Sequence, residues 1–270
     1  MKESGIGSQK IIRRRGDGDF EYLPDELTIE EPLEIRIGRK TIATTMRTPG
    51  HDEELATGFL LSEGIVRGRD QIASVSVSGD NTVVMDLRDG VKLKLNSTER
   101  FGTISSSCGL CGKTSIDAIR QNFPPVRSND IRIGIETLLP LPETLRKAQS
   151  DFARTGGIHA AGIFGVDGQL KIAREDIGRH NAVDKAIGRA CLDELLPLER
   201  HLLLVSGRAS FEIIQKALAA GIPIIAAVSA PSSLAVELAR DSNQTLIGFL
   251  RPPSFNVYTH IERVILQVRK

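Results

Sequence analysis

The chain has 270 residues, of which 40% are hydrophobic and 26% are charged, a composition typical of globular proteins. The formal net charge is only +1, so the basic excess of nucleic-acid-binding proteins is missing and we expect no nucleic-acid partner. No apolar run approaches the roughly 18 residues of a membrane span, and residues 1–10 lack the apolar segment of a secretory signal. Three cysteines are too few for a disulfide framework, so we expect a cytoplasmic protein that does not associate with membranes.

The first 128 residues divide into a polar arm and a small α+β domain. Residues 1–30 are polar and glycine-rich, which favours a solvated arm, although residues 9–15 could pair as an edge strand. From residue 31 onward, alternating apolar and polar residues predict short strands. These strands cover residues 32–37, 40–47, 72–78, 82–87 and 91–95. A helix with an acidic first turn begins at residue 52 and ends before Gly64, and a second predicted helix at 114–123 follows a loop at 101–112.

Residues 129–270 alternate strands with helices and predict an α/β domain. Connecting chain at 129–142 leads into a predicted helix at 143–155. The predicted strands that follow cover residues 158–164, 170–173, 202–206, 223–228 and 245–250, and a turn at 166–168 joins the first two as a hairpin. The predicted helices cover 181–191, 211–220 and 234–241. Strands and helices in this order favour a largely parallel sheet that is covered on both faces.

The strongest local motif is the pair Cys108 and Cys111 in the sequence SSSCGLCGK. Adjacent glycines leave the sulfurs accessible, and a helix that begins near Lys113 favours the thiolate over the thiol. A structural zinc site needs about four ligands, and no second C-x-x-C pair is present, so we expect no protein-bound metal. Spacing alone leaves redox chemistry, sulfur transfer and metal binding open. Cys191 lies in an apolar helical pattern and is predicted to be a core residue.

Basic residues follow several predicted strands of the second domain. Arg179, Arg208 and Arg251 each lie in a segment that comes after a strand, where α/β sheets bind their ligands. A capped helix start with solvated charges would explain any one of these segments. Three together predict a shared site for a phosphate or nucleotide, because arginine makes bidentate contacts with phosphate. His159, in a predicted strand, could be a hydrogen-bonded core residue or part of this site.

Seven segments, taken in order, resemble the FdhD family of formate dehydrogenase accessory sulfurtransferases. They cover most of the chain from about residue 30 to residue 260, and several long matches in one order are more specific than any single motif. The segments are ATGFLLSEGIV at 56–66, SCGLCG at 107–112, TGGIHAAG at 155–162, REDIGRHNAVDKAIG at 174–188, SGRASFEIIQKALAAGI at 206–222, VSAPSSLAVELA at 228–239 and LIGFLRPPSFNVYT at 246–259.

The resemblance implies a sulfurtransferase that accepts persulfide sulfur from a cysteine desulfurase. The sulfur then goes to the bis(molybdopterin guanine dinucleotide) cofactor of formate dehydrogenase, which is a bound substrate here. The resemblance implies Cys108 as the catalytic cysteine, with Cys111 secondary. It also implies a cofactor-binding segment at Phe249, Leu250, Arg251, Pro252, Pro253 and Ser254, to which we add Arg208, Arg179 and His159. Members often carry Gly-Arg where this chain has Pro253-Ser254, so one expected phosphate contact is in question.

For the fold, the resemblance implies an α/β protein in which a cytidine-deaminase-like three-layer α/β/α domain follows the smaller α+β domain. It also implies a homodimer. Two other functions compete with sulfur transfer. A zinc deaminase would need an H-x-E motif ahead of P-C-x-x-C, whereas this chain has its C-x-x-C ahead of His159 and Ala161 in place of the glutamate. A binding-only cofactor chaperone, in which the cysteines are incidental, remains an alternative.

Overall fold

The computed structural model describes residues 5–91, 103–104, 123–127 and 130–266. The predicted strand at 91–95, the loop at 101–112 with Cys108 and Cys111, and most of the helix at 114–123 lie outside the described residues. In the described part of the chain, no helix is long and apolar enough to span a bilayer.

The chain begins with a two-stranded antiparallel hairpin, β1 (Ile6–Arg14) and β2 (Phe20–Thr28). The expected solvated arm is therefore ordered as strands, because a regular ladder satisfies its backbone and Arg13 pairs with Asp25 at 3.1 Å. A five-stranded sheet follows, in the order β5-β6-β3-β4-β7. Its strands are β3 (Glu31–Ile37), β4 (Lys40–Arg47), β5 (Ile72–Val77), β6 (Thr82–Leu87) and β7 (Thr103–Ile104), with helix α1 (Asp52–Ser62) between β4 and β5.

A six-stranded sheet forms the second half, in the order β10-β9-β11-β12-β13-β14. Its strands are β9 (His159–Gly165), β10 (Leu170–Asp176), β11 (His201–Val205), β12 (Ile224–Ala227), β13 (Thr245–Arg251) and β14 (Ser254–Thr259). The helices between them are α5 (Arg179–Leu192), α6 (Phe211–Ala219) and α7 (Ser233–Asp241). Only β11, β12 and β13 pair in parallel, and the other pairs are antiparallel. The prediction of a largely parallel sheet is therefore correct for the centre and wrong for the flanks, because short hairpin turns join β9 to β10 and β13 to β14.

The segment before β9 is more structured than expected. The predicted connection at 129–142 contains β8 (Ile133–Gly134), which pairs with β15 (Val264–Ile265), and helix α2 (Ile135–Leu138). The predicted helix at 143–155 is two helices, α3 (Leu141–Lys147) and α4 (Ser150–Thr155). They separate because Gln149 leaves the helical conformation, with φ −89° and ψ 83°.

Apolar side chains of the six-stranded sheet alternate between two cores. On one face, Ala161 and Ile163 pack with α1, α5 and α6 and with Leu33 and Ile35 of the five-stranded sheet. On the other face, Phe164 packs with residues of α2 and α3. Helices therefore cover both faces, as predicted. The cytidine-deaminase-like arrangement and the boundaries of the two domains stay predictions.

Two glycines allow α1 and α5 to cross in close contact. A Cβ atom at Gly58 would overlap the carbonyl oxygen of Asp184, and one at Gly188 would overlap that of Glu54. Beside this crossing, the ammonium of Lys216 lies 2.7 Å from the buried carboxylate of Asp184, which also accepts a hydrogen bond from Ser62 Oγ. Burial raises the pKa of Asp184 although the Lys216 charge acts to lower it. The crossing ties the N-terminal half of the chain to the helix that carries Arg179.

Candidate functional site

One edge of the six-stranded sheet gathers the ends of several strands. In the ladder, His159 at the start of β9 pairs with Asp176 at the end of β10, and Ala161 pairs with Val205 at the end of β11. Beyond β11, Ser206 Oγ accepts a hydrogen bond from the backbone N–H of Ala160 at 2.9 Å. Because β11, β12 and β13 are parallel, their following loops meet at this same edge. The sequence clusters after β10, β11 and β13 therefore lie at one end of the sheet.

A buried carboxylate fixes the loop between β10 and α5. Asp176 accepts hydrogen bonds from the backbone N–H of Gly178 at 2.8 Å and from Asn181 Nδ2 at 3.0 Å. Lys185 Nζ lies 2.7 Å from its other oxygen, and the backbone N–H of Thr48 is 3.2 Å from that oxygen. These contacts hold the start of α5, and with it Arg179, in one orientation. The role of Asp176 here is structural, since its charge is satisfied inside the protein.

Three basic side chains, Arg179, Arg208 and His159, meet at this edge. Within the described ranges, neither Arg179, Arg208 nor His159 makes a side-chain hydrogen bond or an ion pair, and the Nε atom of Arg179 is buried. Burial, followed by the Arg208 charge, lowers the pKa of Arg179. Burial, followed by the Arg179 charge, lowers the pKa of His159 below that of a free imidazole. An anionic ligand would stabilise this arrangement of an imidazole beside two guanidinium groups that have no acceptor among the described residues.

A histidine that sequence reasoning did not single out lies beside these groups. His180 Nε2 is 2.8 Å from Glu212 Oε2 and 2.9 Å from Ser210 Oγ. Burial is the largest single effect on the pKa of Glu212 and raises it, but the hydrogen bond from His180 and the charges of His180, Lys216 and Arg179 together lower the net pKa. Because the Glu212 carboxylate binds His180, it does not form an ion pair with Arg179. The sequence signal for this contact is Ser210 followed two positions later by Glu212 at the start of α6. It can be linked to His180 only once α5 and α6 have been placed side by side.

The predicted cofactor-binding segment lies at the end of β13. Phe249 has a left-handed backbone (φ 52°) and is 40% exposed, and its N–H donates to Ser229 O at 3.1 Å. The N–H of Ser229 in turn donates to Gly207 O at 3.3 Å, which joins this segment to the loop after β11. Leu250 is a buried core residue, so a ligand could reach only its backbone.

The rest of that segment lies at the turn between β13 and β14. Arg251 is exposed, and its Nε donates to Val228 O at 2.9 Å, so part of the guanidinium is already used. Pro252, Pro253 and Ser254 are exposed at the turn. These positions are accessible to a ligand, and their contacts with a cofactor stay a prediction.

Cys191, the cysteine among the described residues, lies in an environment that disfavours the reactive thiolate. Cys191 is buried in the core, as predicted, and burial raises the pKa of its thiol to about 11. Cys108 and Cys111 lie outside the described residues. Among the described residues, no group of three or more His, Cys, Asp or Glu side chains is placed to hold a metal ion, and the expectation of no bound metal at the cysteine pair stays a prediction.

Comparison with known proteins identifies the family of the chain. The family model described as the FdhD/NarQ family matches residues 28–265. The chain belongs to the FdhD/NarQ family. A "Sulfur carrier protein FdhD" of Streptomyces coelicolor is 51% identical over 96% of this chain and 95% of that protein. Another protein of the same name, from Mycobacterium tuberculosis, is 50% identical over 89% of this chain and 92% of its own length.

A solved structure has the same fold. It belongs to a Desulfotalea psychrophila protein described as a formate dehydrogenase accessory protein, with a TM-score of 0.79. The match covers 97% of this chain and 100% of that protein, at 24% sequence identity. The family resemblance inferred from the seven segments is confirmed, and the solved structure shares the mixed α/β architecture described above.

Proposed function

We propose that this FdhD/NarQ protein is a cytoplasmic sulfur carrier for formate dehydrogenase, with Cys108 as the residue that carries a persulfide. The relatives named as sulfur carrier proteins support sulfur transfer. In the proposed step, the Cys108 thiolate attacks the outer sulfur of a cysteine desulfurase persulfide. The donor's S–S bond breaks, its thiolate leaves, and a persulfide forms on Cys108 without net oxidation or reduction.

We propose that the sulfur acceptor is the bis(molybdopterin guanine dinucleotide) cofactor, bound at the sheet edge. The observation that carries this proposal is the pair of guanidinium groups that have no acceptor among the described residues, with Arg179 Nε buried and the Arg208 charge beside it. Diphosphate groups of the cofactor would supply the missing acceptors, because guanidinium groups bind phosphate oxygens bidentately. Phe249 would contact an apolar or aromatic part of the nucleotide. In this proposal, the residues position the cofactor, and Cys108 provides the sulfur.

A binding-only chaperone is the second candidate, because the basic groups at the sheet edge could bind the cofactor without any chemistry at the cysteines. A cell that lacks its own copy of the protein separates the two functions. Cys108→Ala should fail to restore formate oxidation while the purified variant binds GDP, a fragment of the cofactor, as tightly as the unchanged chain. Full restoration of formate oxidation by Cys108→Ala would favour the chaperone.

Cys111 has a different expected effect. A second thiol on the same loop could attack the persulfide, release sulfide and close a disulfide. We therefore expect Cys111→Ser to keep partial activity, whereas Cys108→Ser abolishes it. Measuring both variants in the same complementation assay compares the two positions directly, and equal losses would contradict the primacy of Cys108.

A further inference from the structure

A hydrogen bond between two helix starts lies directly beside the sheet-edge site. His180, in the first turn of α5, places its Nε2 atom 2.8 Å from Oε2 of Glu212, in the first turn of α6. Both side chains are largely buried, with exposed fractions of 12% and 15%. The pKa of Glu212 is lowered, and an ionised carboxylate only accepts hydrogen bonds, so Nε2 of His180 carries the hydrogen and donates it. Ser210 Oγ lies 2.9 Å from the same nitrogen.

Arg179 precedes His180 in the sequence, but its side chain takes a different direction. Consecutive residues of an α-helix are about 100° apart around the helix axis. A Cβ atom at Gly207 would lie 3.9 Å from Arg179 Cδ and 3.3 Å from His159 Nδ1, which places the Arg179 side chain against the loop after β11. Its Nε atom is buried without an acceptor among the described residues. The start of α5 thus directs His180 toward α6 and Arg179 toward the site.

The charges of Arg179 and Glu212 act on each other although the two groups do not pair. Burial is the largest effect on the pKa of Arg179 and lowers it, followed by the Arg208 charge, whereas the Glu212 charge acts to raise it. The Arg179 charge in turn is one of the effects that lower the pKa of Glu212 against its burial. A carboxylate is therefore present that could neutralise the cationic site from inside the protein.

Loss of His180 would leave Glu212 in need of another partner. Three basic groups act on this carboxylate, namely His180, Lys216 and Arg179. Lys216 is occupied, because its ammonium lies 2.7 Å from the buried carboxylate of Asp184. A buried charge that has lost its partner is strongly destabilised. Arg179 is the cation to which Glu212 would then turn.

We propose that His180 is a positioning residue that holds Glu212 away from Arg179 and so keeps the Arg179 guanidinium free for an anionic ligand. An internal ion pair between Arg179 and Glu212 would compete with a phosphate group for the same N–H donors. This role rests on the anion site proposed above, and it explains how that site stays cationic with a carboxylate beside it. His180 itself is assigned no contact with the ligand.

A purely structural contact between α5 and α6 would behave differently. If His180 and Glu212 only joined the two helices, breaking their hydrogen bond would lower the free energy of unfolding, and a second substitution at Glu212 would not restore ligand binding. In the positioning role, the defect arises from the Glu212 charge, so removing that charge cures it. The conservative variant His180→Gln offers a second distinction, because its amide N–H₂ can replace the lost donor.

Isothermal titration calorimetry with GDP on the full chain tests the positioning role. His180→Ala should weaken GDP binding by about tenfold, because the new ion pair between Arg179 and Glu212 must break before a phosphate binds. His180→Gln should lose less. The double variant His180→Ala, Glu212→Gln should return to within about twofold of the unchanged chain, since a neutral amide does not neutralise Arg179. Urea denaturation of the same proteins confirms that each variant folds.

The chain offers a matched control in a second His–Glu pair. His260 Nδ1 lies 3.1 Å from Glu262 Oε1. His260 follows β14, which begins at the turn after Arg251 and runs antiparallel to β13, so this pair lies at the opposite end of the sheet from the site. His260→Ala should leave the GDP affinity unchanged.

The reactivity of Arg179 provides a readout that needs no nucleotide. Phenylglyoxal modifies free guanidinium groups, and peptide mass spectrometry should show Arg179 reacting several-fold more slowly in His180→Ala than in the unchanged chain or the double variant. If the unchanged chain bound no GDP, the proposed cofactor site would fail, whereas the modification rates would still decide the role of His180. Unaltered Arg179 reactivity in His180→Ala, or a loss of GDP affinity that Glu212→Gln does not reverse, would overturn the proposal.

Discussion

Among single residues, Arg179 is expected to contribute more to ligand binding than Arg251. Its Nε atom is buried without a partner in the described part of the chain, whereas Arg251 already donates to Val228 O. Arg179→Ala should weaken GDP binding by about 1–3 kcal/mol, the usual effect of losing a hydrogen bond from a charged group. Isothermal titration calorimetry measures the difference.

The controls for this prediction use the chain's other arginines. Arg200 is highly exposed just before β11, at the far end of that strand from the sheet-edge site, and Arg200→Ala should leave GDP affinity unchanged. Arg251→Ala should cause a smaller loss than Arg179→Ala. Unaltered affinity in Arg179→Ala would remove Arg179 from the site.

His159 should make ligand binding depend on pH. Burial and the neighbouring arginine charges lower its pKa, so the imidazole is neutral at pH 7. As pH falls through that lowered pKa, the ring gains a positive charge, and the affinity for an anion should rise relative to a His159→Gln variant. The nucleotide's terminal phosphate also gains a proton as the solution becomes acidic, with a pKa of about 6, so the comparison between the two proteins is the measured quantity. Parallel affinity–pH curves would show that His159 does not face the ligand.

The sequence-based predictions and the structure agree best where the neighbours of a residue along the chain determine its environment. Cys191 was predicted as a core residue from its apolar neighbours, and its burial confirms this. His180 was passed over because its partners, Ser210 and Glu212, lie 30 or more positions away. Sequence spacing shows which groups follow a strand, but it does not show which of them pair with one another.

At the scale of elements, the crossing of α1 and α5 is the contact that positions Arg179. Gly188→Ala should lower the free energy of unfolding by about 1–3 kcal/mol or more, because the added methyl overlaps the Glu54 carbonyl and the helices must move apart. The loss should occur although alanine favours helix over glycine by roughly 1 kcal/mol. Urea denaturation provides the measurement.

Gly157→Ala is a suitable control for that substitution. A Cβ at Gly157 would have its nearest neighbour at 3.8 Å, which is an ordinary contact. We expect its unfolding free energy to change little. If Gly188→Ala were as stable as Gly157→Ala, the close crossing would be wrong, together with the argument that it holds α5 in place.

Elements were predictable from local pattern, while their pairing was not. Apolar runs located β11, β12 and β13, and turn residues located the β9–β10 hairpin. The antiparallel pairing of β9 with β11 joins segments about 40 residues apart, and nothing in either strand's composition specifies it. The break between α3 and α4 was missed because the residues around Gln149 continue a helical pattern.

At the scale of the whole molecule, one apolar core spans both halves of the chain. Leu33 and Ile35 of the five-stranded sheet belong to the same cluster as Ile187 of α5 and Ile213 of α6. The alternation of strands and helices after residue 128 indicated a separate domain, but sequence pattern does not report contacts between the two parts of the chain. A long-range ion pair across the same boundary, between Arg174 and Glu54, lowers the pKa of Glu54 to about 2 although burial acts to raise it.

The family assignment was the part of the account most accessible to sequence, because seven ordered segments carry it and the family match over residues 28–265 confirms it. The candidate site could be predicted in part from the sequence. The rule that ligands bind beyond the carboxyl ends of strands directed attention to Arg179 and Arg208. The structure brings these two residues together with His159, whereas the role of each residue stays a prediction until binding is measured.

The central claim is that Cys108 carries sulfur, and mass spectrometry tests it most directly. The purified full-length protein is incubated with a cysteine desulfurase and cysteine, trapped with an alkylating agent, and digested to peptides. The account predicts one additional sulfur atom on the peptide that contains Cys108, retained in Cys111→Ser and lost in Cys108→Ser. A Cys108→Ser protein that still gains the sulfur, or an unchanged chain that gains none under conditions in which the desulfurase turns over, would contradict it.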